Sequence, residues 1–151
     1  MLKILGKASS INVRKVLWAC EEIAIPYERE DWGSGFRDTA DPGFAALNPN
    51  GLVPVIVDGD VVLWESNTII RYLAASRGRT DLLPEPPRER ADIERWMDWQ
   101  ATELNWSWRY AFQVLVRQCV PVPNETGLAA SIAAWSRLMA ILDRQLAMTR
   151  G

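Results

Sequence analysis

A proline interrupts the most strand-like run in this chain of 151 residues. Val53, Val55, Ile56 and Val57 read as a buried strand, with Pro54 inside it. Proline cannot donate to a sheet ladder and belongs at sheet edges, strand starts or bulges. The placement makes sense if the residue before it turns its backbone N–H and C=O toward a ligand. A cis peptide at Val53-Pro54 would do this, because X-Pro bonds are the ones that tolerate cis. An extended peptide would then pair with Val53 as an added strand. Downstream, Asp58-Gly59-Asp60 predicts a tight hairpin between residues 53–57 and a second strand over 61–64.

Glu65 and Ser66 open a helix that has Ile69, Ile70 and Leu73 on its inner side. A helix N-terminus offers free N–H groups and partial positive charge to a carboxylate, and the Ser66 hydroxyl adds a donor. Glu65 supplies the partner for an ammonium. Together they suit the head of a free α-amino acid, so the ligand class is a small zwitterionic peptide held at its head and along its backbone. Taken alone, Ser66 reads as a helix cap and Asn48-Pro49-Asn50-Gly51 as a turn. The spacing of all three elements within one small α/β unit is what points to a ligand.

The rest of the first half fits a small mixed sheet. Leu2 to Leu5 predict a strand and residues 6–10 a loop. Val13, Val16, Leu17, Cys20 and Ala24 follow helical spacing until Pro26, and residues 27–32 predict a second strand. Residues 33–50 read as irregular with one helical turn near Phe44 to Leu47. The order is β-α-β, a loop, then β-β-α, with the first two strands parallel across a helical crossover. Three regions are expected: an α/β domain over 1–78, a Pro-rich and charged linker over 79–87, and an all-helical domain over 88–151. In the last, Ile93, Met97, Leu104, Trp108, Ala111 and Leu115 share one face of a long helix. Trp96, Trp99, Trp106 and Tyr110 form a second face. Pro121 and Pro123 end it, and Leu128, Ile132, Trp135, Met139, Leu142 and Leu146 mark a seam on another helix.

Composition narrows the chemistry. Lys+Arg is 17 and Asp+Glu 19, a net charge of −2 that recruits neither nucleic acid nor an anionic membrane. No apolar run approaches the ~18 residues of a membrane span, and the N-terminal run is too short for a signal-peptide core, so a cytoplasmic location is expected. With no histidine, His-based triads, His bases and His-ligated metals are excluded. Cys20 and Cys119 form no C-x-x-C pair. Carboxylates, hydroxyls, backbone or the ligand's own reactive group must carry any reaction, and no metal is expected.

The stretch NPNGLVPVIVDGDVVLWESNTIIRYLA resembles the second half of the glutathione-binding domain of the cytosolic glutathione transferases. SSINVRKVLWACEE resembles the first helix of their serine-type bacterial, theta-like and phi-like members, and WMDWQATELN the start of the helix that lines their electrophile pocket. The resemblance implies a thioredoxin-like domain followed by an all-α domain. It places Leu52, Val53, Pro54, Glu65, Ser66 and Asn50 at glutathione, Ser10 at its sulfur, and Trp99, Trp106 and Tyr110 at a hydrophobic electrophile. Asn12 and Ser9 are the alternatives to Ser10. Many relatives carry Lys or Gln where Leu52 stands, and Asn48, Asn50 or Arg37 are the candidates to meet the glycine carboxylate instead. Relatives continue through further helices, so the helical domain is expected to be incomplete. The implied function is conjugation of the glutathione thiolate to hydrophobic electrophiles by a homodimer with glutathione as co-substrate. Glutathione-dependent disulfide or peroxide reduction and a non-catalytic interaction module are the alternatives.

Overall fold

Four short strands form the centre of the first half of the chain. β1 (Leu2–Leu5) lies between β2 (Tyr27–Glu30), to which it is parallel, and β3 (Val55–Asp58), to which it is antiparallel. β4 (Val61–Trp64) pairs antiparallel with β3, giving the order β2-β1-β3-β4. α1 (Ile11–Ile23) makes the crossover from β1 to β2, and α3 (Ser66–Ser76) follows the hairpin and packs against α1. The computed structural model describes residues 1–149 and divides into two units, the first Met1–Arg90 and the second from Ala91.

Side-chain alternation places Leu2, Ile4 and Ile56 against Val16 and Cys20 of α1 and Ile69 and Leu73 of α3, in one buried cluster. Leu5 and Val55 bury themselves in a second cluster with Phe44 of the short helix α2 (Pro42–Leu47). α1 ends because Ala24 turns left-handed, at φ 57°, and returns its N–H to the carbonyls of Cys20 and Glu21. α2 starts where the Asp41 carboxylate accepts from Gly43 N–H.

Several boundaries differ from the sequence expectation. β3 begins at Val55, so Val53 and Pro54 precede the strand instead of lying within it. The proline has no N–H to give the ladder and marks its start. β2 stops at Glu30, two residues short of Trp32, which forms an isolated bridge with Arg37. The segment read as a linker is docked. Leu83 is buried, Leu83 N–H bonds to the Arg79 carbonyl, and the Arg79 guanidinium holds Asp81 and the carbonyl of Glu22.

In the second unit the long helix is not uniform. α4 (Pro87–Trp99) runs into a π-helical segment, Gln100–Leu104, followed by α5 (Asn105–Ser107) and α6 (Arg109–Leu115). The i→i+5 bonding of that segment carries more residues per turn. Residues before and after it therefore do not share the face that a 3.6-residue period assigns to them, and Leu115 is exposed. α7 (Glu125–Thr149) is also rotated from expectation. Its covered residues are Leu128, Ser131, Ala134, Leu138, Ile141, Leu142 and Gln145, so Leu128 and Leu142 of the expected seam are partly covered, while Ile132, Trp135, Met139 and Leu146 are exposed. Ser131 explains the rotation: its hydroxyl donates to the Ser107 carbonyl over 2.6 Å and accepts from Ala111 N–H over 3.2 Å. A small polar side chain that satisfies two backbone groups brings its own face, one residue away from the apolar seam, against α5 and α6.

Candidate functional site

Gly6 ends β1 in a crowded position. A Cβ there would stand 2.6 Å from Val13 Cγ2 and 3.1 Å from Val53 Cβ. The absence of a side chain lets the β1–α1 loop lie directly against Val53. Arg29 Nη1 steadies the same turn by donating to the Gly6 carbonyl over 3.1 Å. Ser10 follows at the N-cap of α1 with its N–H on the Lys7 carbonyl. Its hydroxyl makes no capping bond, so its capacity is not used on the helix. Ser9 is exposed, and Asn12 lies in the first turn of α1.

The Asn48–Leu52 turn is built around one buried amide. Asn48, 2% exposed, donates from Nδ2 to the Leu52 carbonyl over 2.8 Å. Its Oδ1 accepts from the N–H and from Nδ2 of Asn50, at 3.0 and 3.1 Å. Gly51 supplies the positive φ, 61°, that the turn needs. The Val53-Pro54 peptide bond is cis. Among the described residues, none bonds the Val53 N–H or C=O, which leaves one donor and one acceptor just before β3.

The third wall is the start of α3. Glu65 occupies φ 70°, ψ 106°, a left-handed conformation rare for a residue with a side chain. Such strain collects at functional sites. The Glu65 carboxylate makes no cap bond and its residue is exposed, whereas Ser66 is buried. The first helical bond of α3 reaches back from Ile69 N–H to the Glu65 carbonyl, so the N–H groups before it have no acceptor within the helix.

These three pieces meet. Asn12, Asn48, Asn50, Leu52, Val53, Pro54, Glu65 and Ser66 line one cleft with about 320 Å³ of free space, part of it open to solvent. The cleft brings together all six residues expected at the peptide ligand, with Asn12. Ser10 stands two residues before Asn12 at the head of α1. Among the substitutes considered for a cation at Leu52, Arg37 is held by Glu30 at 2.8 Å and stacks 5.3 Å over Trp32, and Asn48 is spent on its own turn. Asn50 is the one left exposed at the cleft. In the second unit, Trp99 packs edge-on to Trp96, Trp106 is exposed beneath the Arg109 guanidinium, and the Tyr110 hydroxyl accepts from Asn124 N–H over 2.8 Å. The π segment separates Trp99 from Trp106, so they are not the continuous stripe that helical spacing predicts.

Lys15 and Asn67 are absent from the sequence reading. Lys15 Nζ donates to Asn67 Oδ1 over 2.9 Å, between α1 and α3. Burial pushes the Lys15 amine down to about 8, and the Glu65 charge opposes that shift. The available signal was a lysine flanked by the core positions Val13 and Val16, where a charge has to find a partner. Cys20 behaves as core: burial pushes its thiol up to about 11.

The fold is a thioredoxin-like domain followed by an all-helical domain. A family model described as glutathione S-transferase, N-terminal domain, matches residues 9–76. Glutathione S-transferase GstB of Escherichia coli K12 is 40% identical over 152 residues, spanning 99% of this chain and 73% of that protein. The glutathione-bound crystal structure of a theta class glutathione S-transferase from Xanthomonas axonopodis pv. citri superposes with a TM-score of 0.89. It is 40% identical, over 97% of this chain and 70% of that one. Elongation factor 1-gamma 2 of Oryza sativa subsp. japonica is 35% identical over 140 residues, 90% of this chain and 32% of that protein. The chain belongs to the glutathione S-transferase family.

Proposed function

We propose that the cleft binds glutathione and that the protein conjugates the glutathione thiolate to hydrophobic electrophiles. The observation that carries this reading is the presence, in one cleft, of an unbonded Val53 backbone and a Glu65-Ser66 helix start. The cysteinyl N–H and C=O of glutathione pair with Val53 as an added strand. The γ-glutamyl ammonium meets the Glu65 carboxylate, and the α-carboxylate meets the N–H groups and hydroxyl at Ser66. Asn50 faces the glycine end.

Ser10 acts on the sulfur. A thiol of pKa ~8.5 is mostly protonated at neutral pH, and a hydroxyl donor with a helix N-terminus favours the thiolate. Each unit of lowered pKa is worth about 1.4 kcal/mol between the two forms. The thiolate then forms a C–S bond, and the leaving group departs with the electrons of the bond that breaks. Asn12 is the alternative donor. Trp99, Trp106 and Tyr110 supply apolar contacts to the electrophile, and the protein works as a homodimer with Trp64 or the α3 face near Arg71 on one side of the contact. Formation of the conjugate from glutathione and an aryl halide, followed by absorbance, tests the chemistry. Light scattering at micromolar concentration tests the dimer.

The likeness to an elongation factor favours one second reading, a protein-interaction module on the same fold. It requires no glutathione affinity, which separates the two.

A further inference from the structure

Glu65 and Ser66 carry the head of the ligand, yet their own position needs explaining. Glu65 sits in a strained backbone conformation and its side chain makes no capping bond, so the first turn of α3 is not held by its own cap. One contact with that turn comes from α1. Lys15 lies three residues after Asn12, hence one turn further along the same helix face. A lysine stem is long enough to carry its ammonium to water. Here the ammonium instead turns inward to Asn67 Oδ1, at 2.9 Å, and faces the charge of Glu65. Asn67 and Glu65 flank Ser66 in sequence, one on each side.

We propose that Lys15 is a positioning residue for recognition of the γ-glutamyl head, holding Glu65, Ser66 and Asn67 against α1 in the arrangement that receives the α-amino acid group. This rests on the cleft being a glutathione site. Lys15 is not among the cleft-lining residues and acts through its neighbours. It works in two ways. The bond to Asn67 fixes the first turn of α3, which aims the Ser66 hydroxyl and the free N–H groups. The positive charge behind the turn balances Glu65 and adds to the helix-end potential that attracts the ligand's α-carboxylate. The depressed amine pKa fits a cation kept in a desolvated place by these partners.

The test compares S-hexylglutathione with S-hexyl-N-acetylcysteinylglycine, which lacks the γ-glutamyl head, by calorimetry on wild type, Lys15→Met, Lys15→Arg and Lys15→Met/Glu65→Ala. Lys15→Met should weaken S-hexylglutathione about tenfold, the scale of one lost charge interaction. The headless ligand should change by less than about twofold. Lys15→Arg should recover part of the loss, and the effect of Lys15→Met should shrink once Glu65 is gone. Equal weakening of both ligands, or no change in either, overturns the proposal. If Lys15→Met does not fold, Asn67→Ala carries the same test: selective loss of the headed ligand supports it, and equal effects on both contradict it. Wild-type protein that binds neither ligand overturns the site reading as well, whereas normal wild-type binding with an indifferent Lys15→Met overturns only this inference.

Discussion

Gly6 lies so close to Val13 that a Cβ on Gly6 would stand 2.6 Å from Val13 Cγ2, with Val53 on its other side. The end of β1, the start of α1 and the segment before Pro54 are thereby packed into one contact. Gly6→Ala should cost about 1–3 kcal/mol, the range for overpacking a filled interior. Because relief of the clash moves Val53, glutathione affinity should fall with it. Urea denaturation and calorimetry on the same variant check both; a stable variant with unchanged affinity would show that the contact can give.

Glu65 separates stability from function. Its φ of 70° is strained for any residue with a Cβ and open to glycine. Glu65→Gly should therefore be more stable than Glu65→Ala, by about 1 kcal/mol after glycine's entropic cost is counted. Both should lose a few kcal/mol of glutathione binding, as expected when one side of a charge pair covered by the bound ligand is removed. Unchanged affinity in either would break the assignment of the γ-glutamyl head.

Ser10→Ala should raise the pKa of bound glutathione and slow conjugation while leaving affinity nearly intact, because the hydroxyl acts on the thiolate. Thiolate absorbance followed against pH reads this directly. If Asn12→Ala produces the shift and Ser10→Ala does not, the role belongs to Asn12.

The two cysteines should behave oppositely. Cys119 is exposed and Cys20 buried, so one thiol should react under native conditions and two after unfolding. The Cys20 thiol is raised from 9.0 to about 11 in the folded protein. The folded state then keeps a proton that the unfolded state loses, so this contribution to stability is full below about pH 9 and is lost as pH rises toward 11. Lys15 has the opposite sign. Its amine is lowered from 10.5 to about 8, so its burial cost is present below pH 8 and fades as pH rises to 10.5. Stability, read by urea denaturation between pH 8 and 11, should therefore lose a falling contribution in Cys20→Ala and a rising one in Lys15→Met, relative to wild type.

The first half was legible because its signals are local. The apolar run of β1, the helical spacing of Val13, Val16 and Cys20, the Asp58-Gly59-Asp60 turn and the Glu65-Ser66 start all appear where the sequence puts them. The second half misled for reasons that are not local. A π segment has no composition that marks it, and Ser131 turned α7 by one residue through bonds to Ser107 and Ala111, 24 and 20 positions away. Asn48 reads as a turn residue until its amide is seen buried across the turn. The Lys15–Asn67 bond spans 52 positions and only the packing of α1 on α3 reveals it.

In the proposed function, the cleft formed by Val53 and Glu65-Ser66 holds glutathione by its backbone and its head. Titration calorimetry of the wild-type chain with glutathione, and with the analogue lacking only the γ-glutamyl α-amino group, tests it most directly. One saturable glutathione per chain is expected, with much weaker binding of the desamino analogue, whose ammonium is missing opposite Glu65. No saturable binding, or equal affinity for the two peptides, would contradict it.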